Sequence, residues 1–82
     1  MKVVIVEDEF IAARNLEIMI QAVNKNIEVI AVLQSVEESV EWFSQNNSPD
    51  VVFMDIHLAD GDAFSIFEQI EIISPIIFTT AY

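Results

Sequence analysis

Val51-Val52-Phe53-Met54-Asp55 decides the fold: four apolar residues in unbroken succession, then an aspartate. An apolar run this short, without polar alternation, reads as a strand buried on both faces, as in a parallel sheet. Val3-Val4-Ile5-Val6 and Ile76-Ile77-Phe78 repeat the pattern, and Ile27 to Leu33 is apolar except at Glu28. Helical periodicity fills the gaps between these runs. Ala12, Leu16, Met19, Ile20 and Val23 share one helix face, and Val36, Val40 and Phe43 follow behind the capping box Ser35-x-x-Glu38. Ala63, Phe67 and Ile70 open a third helix, with Ile66 and Ile73 on its flank. Asn24-Lys25-Asn26, Asn46-Asn47-Ser48-Pro49 and Ser74-Pro75 each punctuate a helix-to-strand passage. The order β-α-β-α-β-α-β with right-handed crossovers makes a three-layer, doubly wound α/β sheet.

The chain has 82 residues, enough for one domain, and 54% of them are hydrophobic, which excludes a disordered tail. Three basic and fourteen acidic residues leave a net charge of −11, a surface that repels phosphate backbones and argues against nucleic-acid binding. Without cysteine there is no disulfide or zinc–thiolate site, so a domain this small is expected to look for a partner. Glu7-Asp8-Glu9 ends the first apolar run far short of a signal-peptide core. No stretch approaches the roughly 18 apolar residues of a membrane span. A soluble, cytoplasmic protein is the expectation.

Ligands of such sheets bind beyond the carboxyl ends of the strands. Two strands here end in acid, the first at Glu7-Asp8-Glu9 and the third at Asp55. If these strands are neighbours, Asp8 and Asp55 converge. Two carboxylates about 4 Å apart repel by roughly 4 kcal/mol at an effective dielectric near 20. A divalent cation removes that cost, and an all-oxygen donor set suits Mg²⁺. With a phosphoryl oxygen held on the cation, a carboxylate can act as nucleophile and form an aspartyl-phosphate. Glu9 is better explained as a helix start, where acids suit the helix dipole.

Taken with Ile77-Phe78-Thr79-Thr80-Ala81-Tyr82, the segments Val3 to Glu9 and Val52-Phe53-Met54-Asp55-Ile56-His57-Leu58 resemble a response-regulator receiver domain. The resemblance is to the LytTR type and covers all 82 residues, about the first two-thirds of a family member. It implies a flavodoxin-like sheet of strand order 2-1-3-4. It further implies that Asp55 accepts a phosphoryl group from a histidine kinase or phosphotransfer protein, with Mg²⁺ as cofactor. Asp8 would bind the metal directly, Glu7 through water, and His57 through its backbone carbonyl. Thr80 would be the switch hydroxyl, ranked above Thr79 because a small residue, Ala81, follows it. Such a chain is a signalling module and not an enzyme.

Other residues carry plainer readings. His57, the sole histidine, is an exposed loop residue without companion side-chain ligands. Phe43 belongs to the core stripe, and Trp42 is partly exposed packing. Asp60 and Asp62 flank Gly61 as a turn leading into a helix, since no glutamate completes a calcium loop. A haloacid-dehalogenase phosphatase needs an aspartate where His57 stands. A flavodoxin needs a Ser/Thr/Gly phosphate loop where Glu7-Asp8-Glu9 stands.

The family's usual proline and glycine after the phosphoacceptor are replaced by Ala59 and Ala63, with Gly61 nearby. Its phosphate-pairing lysine has no counterpart, because Lys2 and Lys25 both belong to the far end of the sheet. The chain stops at Tyr82, so residues 1–82 are read as a partial receiver lacking the fourth helix, fifth strand, fifth helix and any output domain. Strand 76–80 then becomes an uncharged edge beside an uncovered sheet face, and a homo-oligomer through both is expected. The competing function is a self-associating fragment that binds metal weakly and does not signal.

Overall fold

The computed structural model describes residues 1–79. Its main sheet contains β1 (Lys2–Val6), β2 (Glu28–Leu33), β3 (Val51–Met54) and a fourth strand, β6 (Ile76–Phe78). All pairings in it are parallel, in the order β2-β1-β3-β6, which is the 2-1-3-4 order expected for a flavodoxin-like sheet. Helices α1 (Phe10–Val23), α2 (Val36–Gln45) and α3 (Ala63–Gln69) make the crossovers. Between β3 and α3 lies a small antiparallel ribbon that the apolar pattern does not reveal, formed by β4 (His57–Leu58) and β5 (Gly61–Asp62). With only two residues per strand, it has no hydrophobic period to read.

The pleat sends alternate residues of the central strands to opposite layers. Val4, Val6, Val52 and Met54 join Leu33, Val36, Leu58, Ala63 and Ile66 in the core beneath α2 and α3. Val3 and Ile5 face the other way, onto Ala13 and Ile20 of α1. Complete burial of a Val, Ile or Met side chain contributes about 1.5–3 kcal/mol, and β1 has four fully or almost fully buried residues in succession.

Four expectations need correction. Met19 and Val23 are exposed, and α1 seats Ala13, Leu16 and Ile20 instead, because the helix covers only part of its sheet face. The third helix ends at Gln69, with Ile70 as its C-cap, so Ile73 lies outside it and is exposed. Ile66, expected on the flank, is fully buried in the core. Burial on both faces holds for β1 but not for the edges: Ile30 of β2 and Ile77 and Phe78 of β6 are exposed. Trp42 is half-buried, packed against the α2–α3 core and edge-on to Phe43 with ring centroids 5.1 Å apart.

Candidate metal and phosphoacceptor site

Parallel pairing places the first acid after β1 beside the acid after β3. Val6 stands opposite Met54, and the ladder continues one step past each strand. The Asp55 N–H donates to the Val6 carbonyl at 2.9 Å, and the Glu7 N–H to the Leu33 carbonyl at 2.8 Å. Neighbouring strands lie about 4.8 Å apart, so side chains leaving such adjacent ends meet. One carboxylate oxygen each from Glu7, Asp8 and Asp55 lies within 4.8 Å of the other two, and all three residues are half-buried. The expected convergence of Asp8 and Asp55 is found, with Glu7, which the resemblance put at the same site, beside them.

The Glu7 carboxyl is pushed up from its ordinary 4.5 to about 7. Burial is the main cause. The Glu9 N–H, which donates to Glu7 Oε2 at 3.1 Å, works against it, while a hydrogen bond with Asp8 and the charges of Asp55 and Asp8 add to it. Three hard oxygen donors whose negative charge is costly to assemble fit a small divalent cation such as Mg²⁺. Glu9 itself is the exposed N-cap residue of α1, the plainer role expected for it.

The other expected residues fall into place unevenly. The His57 side chain is exposed, and its N–H donates to Asp55 Oδ1 at 3.2 Å. Asp62 caps α3, accepting from the Ser65 N–H at 3.1 Å, so it is the helix start expected there. Asp60 does more than form a turn. Its Oδ1 accepts from the Val36 N–H at 2.8 Å and its Oδ2 from the Glu37 N–H at 3.1 Å, 24 and 23 positions back in the chain. Only the Asp-Gly pair at 60–61 hints at this, through turn chemistry, and no local pattern names the distant partner. Thr80 lies outside the described residues.

Residues 3–82 match the sequence profile of the response regulator receiver domain. The sensory transduction protein LytT of Bacillus anthracis is 34% identical over 85 residues, spanning all of this chain and 34% of that protein. The phyllosphere-induced regulator PhyR of Methylorubrum extorquens is 35% identical over 86 residues, spanning 99% of this chain and 31% of that one. Among solved structures, the response regulatory domain of mrkE from Klebsiella pneumoniae superposes with a TM-score of 0.81 at 29% identity. That alignment covers all of this chain and 68% of the other. A parallel sheet ending in an acidic triad is the architecture of a receiver module. The chain belongs to the response regulator receiver family. It spans about a third of the length of the curated relatives named above.

Proposed function

We propose that this chain is the receiver of a two-component phosphorelay, with Asp55 accepting a phosphoryl group from a phosphohistidine of a kinase or phosphotransfer protein. The observation that carries the reading is the three-carboxylate cluster at the carboxyl ends of β1 and β3. An Asp55 oxygen attacks phosphorus, the P–O bond forms as the P–N bond breaks, and the imidazole nitrogen leaves with the electron pair and takes up a proton. Asp8 and Asp55 would hold Mg²⁺ directly, Glu7 through water, and His57 through its carbonyl. When bound, the cation offsets the charge gathered on the phosphoryl oxygens. Thr80 would read the phosphoryl group as a switch hydroxyl. The module signals without catalysing turnover, in the cytoplasm. No described helix is long and apolar enough to cross a membrane.

Incubation with acetyl phosphate and Mg²⁺, followed by intact mass, tests this. The expected result is a single adduct of about 80 Da that Asp55→Asn abolishes. An adduct that persists in Asp55→Asn would assign the chemistry elsewhere.

A specific observation favours a second reading, self-association. β6 has one neighbour among the described strands, and its Ile77 and Phe78 are 49% and 45% exposed. On the α1 side of the sheet, Met19, Ile20, Val23, Ile27 and Phe53 line an apolar groove. An uncharged edge next to an apolar face supports a two-fold dimer, in which the chain could hold metal without relaying phosphate. Light scattering on a size-exclusion column at micromolar concentration should give twice the chain mass. A folded monomer there removes this second reading.

A further inference from the structure

The chain between Asp55 and α3 folds back on itself. His57 pairs with Asp62 and Leu58 with Gly61, so Ala59 and Asp60 form a two-residue turn. The Ala63 N–H donates to the Ile56 carbonyl at 2.8 Å and closes the base of the hairpin. Strands of two residues do not hold a hairpin by themselves. Two anchors outside it do. Leu58 is buried in the core beneath α2 and α3, and at the tip Asp60 takes the Val36 and Glu37 N–H groups of α2 with its two oxygens.

Those amides are two of the four that the start of any helix leaves without intrahelical partners. α2 also carries a local cap, which does not reach these two amides. Ser35 Oγ accepts from the Glu38 N–H at 3.0 Å, and Glu38 Oε1 from the Gln34 N–H at 2.6 Å. The Asp60 bonds therefore do something a local cap cannot: they tie the hairpin to the helix. The two bonds also hold the Asp60 carboxyl below its usual range. Gly61 adds a steric sign of the same approach. Its φ is +152°, and a Cβ there would meet Val36 Cγ2 at 3.2 Å. The hairpin lies close enough to the first turn of α2 that a Cβ at 61 would need the Val36 side chain to give by a few tenths of an ångström, and the positive φ strains any residue but glycine there.

We propose that Asp60 is a positioning residue for phosphoryl acceptance at Asp55, holding the 56–63 hairpin on α2 so that the main chain after Asp55 keeps its place beside the acidic cluster. The proposal rests on the receiver reading of Asp55. The hairpin is continuous with β3, and the His57 N–H donates to Asp55 Oδ1. A tip released from α2 therefore passes its motion to the nucleophile. Displacements on the order of 1 Å at a reacting group cost up to about a hundredfold in rate.

The test compares Asp60→Ala, Asp60→Asn and Ser35→Ala with the wild-type chain. Readouts are the rate of phosphoryl uptake from acetyl phosphate across a Mg²⁺ series, melting temperature, and amide hydrogen exchange. Asp60→Ala should slow uptake about tenfold and raise the half-saturating Mg²⁺ concentration, as loss of a supporting partner does at other metal sites. Exchange at Val36 and Glu37 should quicken together with exchange along the hairpin. Asp60→Asn should recover part of the rate, because its single oxygen can still accept one amide. Ser35→Ala loosens the same helix start without touching the hairpin. It should lower the melting temperature and leave uptake and Mg²⁺ dependence within about twofold, since cap loss acts on stability. Equal rates in Asp60→Ala and Ser35→Ala, or losses that simply follow melting temperature, would overturn the proposal. If Asp60→Ala does not fold, Asp60→Asn carries the same comparison against Ser35→Ala. A wild-type chain that takes up no phosphoryl group overturns the receiver reading and this proposal together. A labelled wild type with an unimpaired Asp60→Ala overturns the proposal alone.

Discussion

At the amino ends of its strands the sheet is closed by bonds that satisfy polar groups. The Lys2 N–H donates to Asp50 Oδ2 at 2.6 Å, and the Asp50 N–H returns to the Lys2 carbonyl at 2.8 Å. Ser74 Oγ, buried, donates to the Pro49 carbonyl at 2.7 Å, and the Glu28 N–H reaches the Met1 carbonyl at 2.8 Å. At the carboxyl ends, a few residues along the same strands, three carboxylates crowd within 4.8 Å and Glu7 is driven toward its neutral form. One end is arranged for stability. The other gathers like charge that a bound cation would relieve, and it sits where ligands of such sheets bind. This fold thus gathers three carboxylates at one rim, where a bound cation would turn their repulsion into ligand affinity.

Substitutions at the two ends should therefore have opposite signs. The largest effect is expected at the amino end. Ser74→Ala leaves the buried Pro49 carbonyl without its partner and should destabilise by about 1–3 kcal/mol. That corresponds to a fall of roughly 4–24 °C in melting temperature for a domain of this size. An unchanged melting temperature would remove the contrast from that side.

A smaller effect of the opposite kind is expected at Glu7. Its carboxyl titrates near 7 when folded and near 4.5 when unfolded, so between those values the folded chain binds the extra proton. Stability in metal-free buffer should then fall as pH rises through that window and level off above it. Glu7→Gln should flatten the slope and leave the variant more stable than wild type at pH 8. Thermal melts in chelator-treated buffer from pH 4.5 to 8 read both outcomes. A wild-type melting temperature that rises across the window would contradict the crowding.

The smallest effect is expected at Glu9, which is exposed and outside the cluster. Glu9→Gln removes the same unit of charge from a chain at −11 and should shift stability by no more than about 0.5 kcal/mol. If Glu9→Gln stabilises as much as Glu7→Gln, general charge repulsion would account for the effect and the cluster would lose its special status.

Much of this rim is legible in the amino-acid sequence. Asp55 stands out because an aspartate after four apolar residues has no place inside a buried strand. Glu7 and Asp8 stand out for the same reason after Val3 to Val6. Ser35-x-x-Glu38 announces the start of α2, and the cap is there. The exposed faces were less legible. Met19 and Val23 share a helical period with Ile20, but periodicity counts apolar residues without knowing how much sheet awaits them. Ile73 was lost for a related reason: α3 stops at Gln69, and no glycine or proline marks that end.

The four strands of the main sheet, the presence of three helices and the acids at the strand ends are readable from the chain, because hydrophobic period, capping chemistry and a polar residue closing an apolar run are all local. The packed fold was needed to show that oxygens of Glu7, Asp8 and Asp55 lie within 4.8 Å of one another, since that follows from β1 lying beside β3 in a set register. It alone decided that Asp60 closes on α2, a bond across 24 positions that no local pattern encodes. Both depend on which strand neighbours which and how closely a hairpin lies on a helix, and those are settled only when the whole core packs.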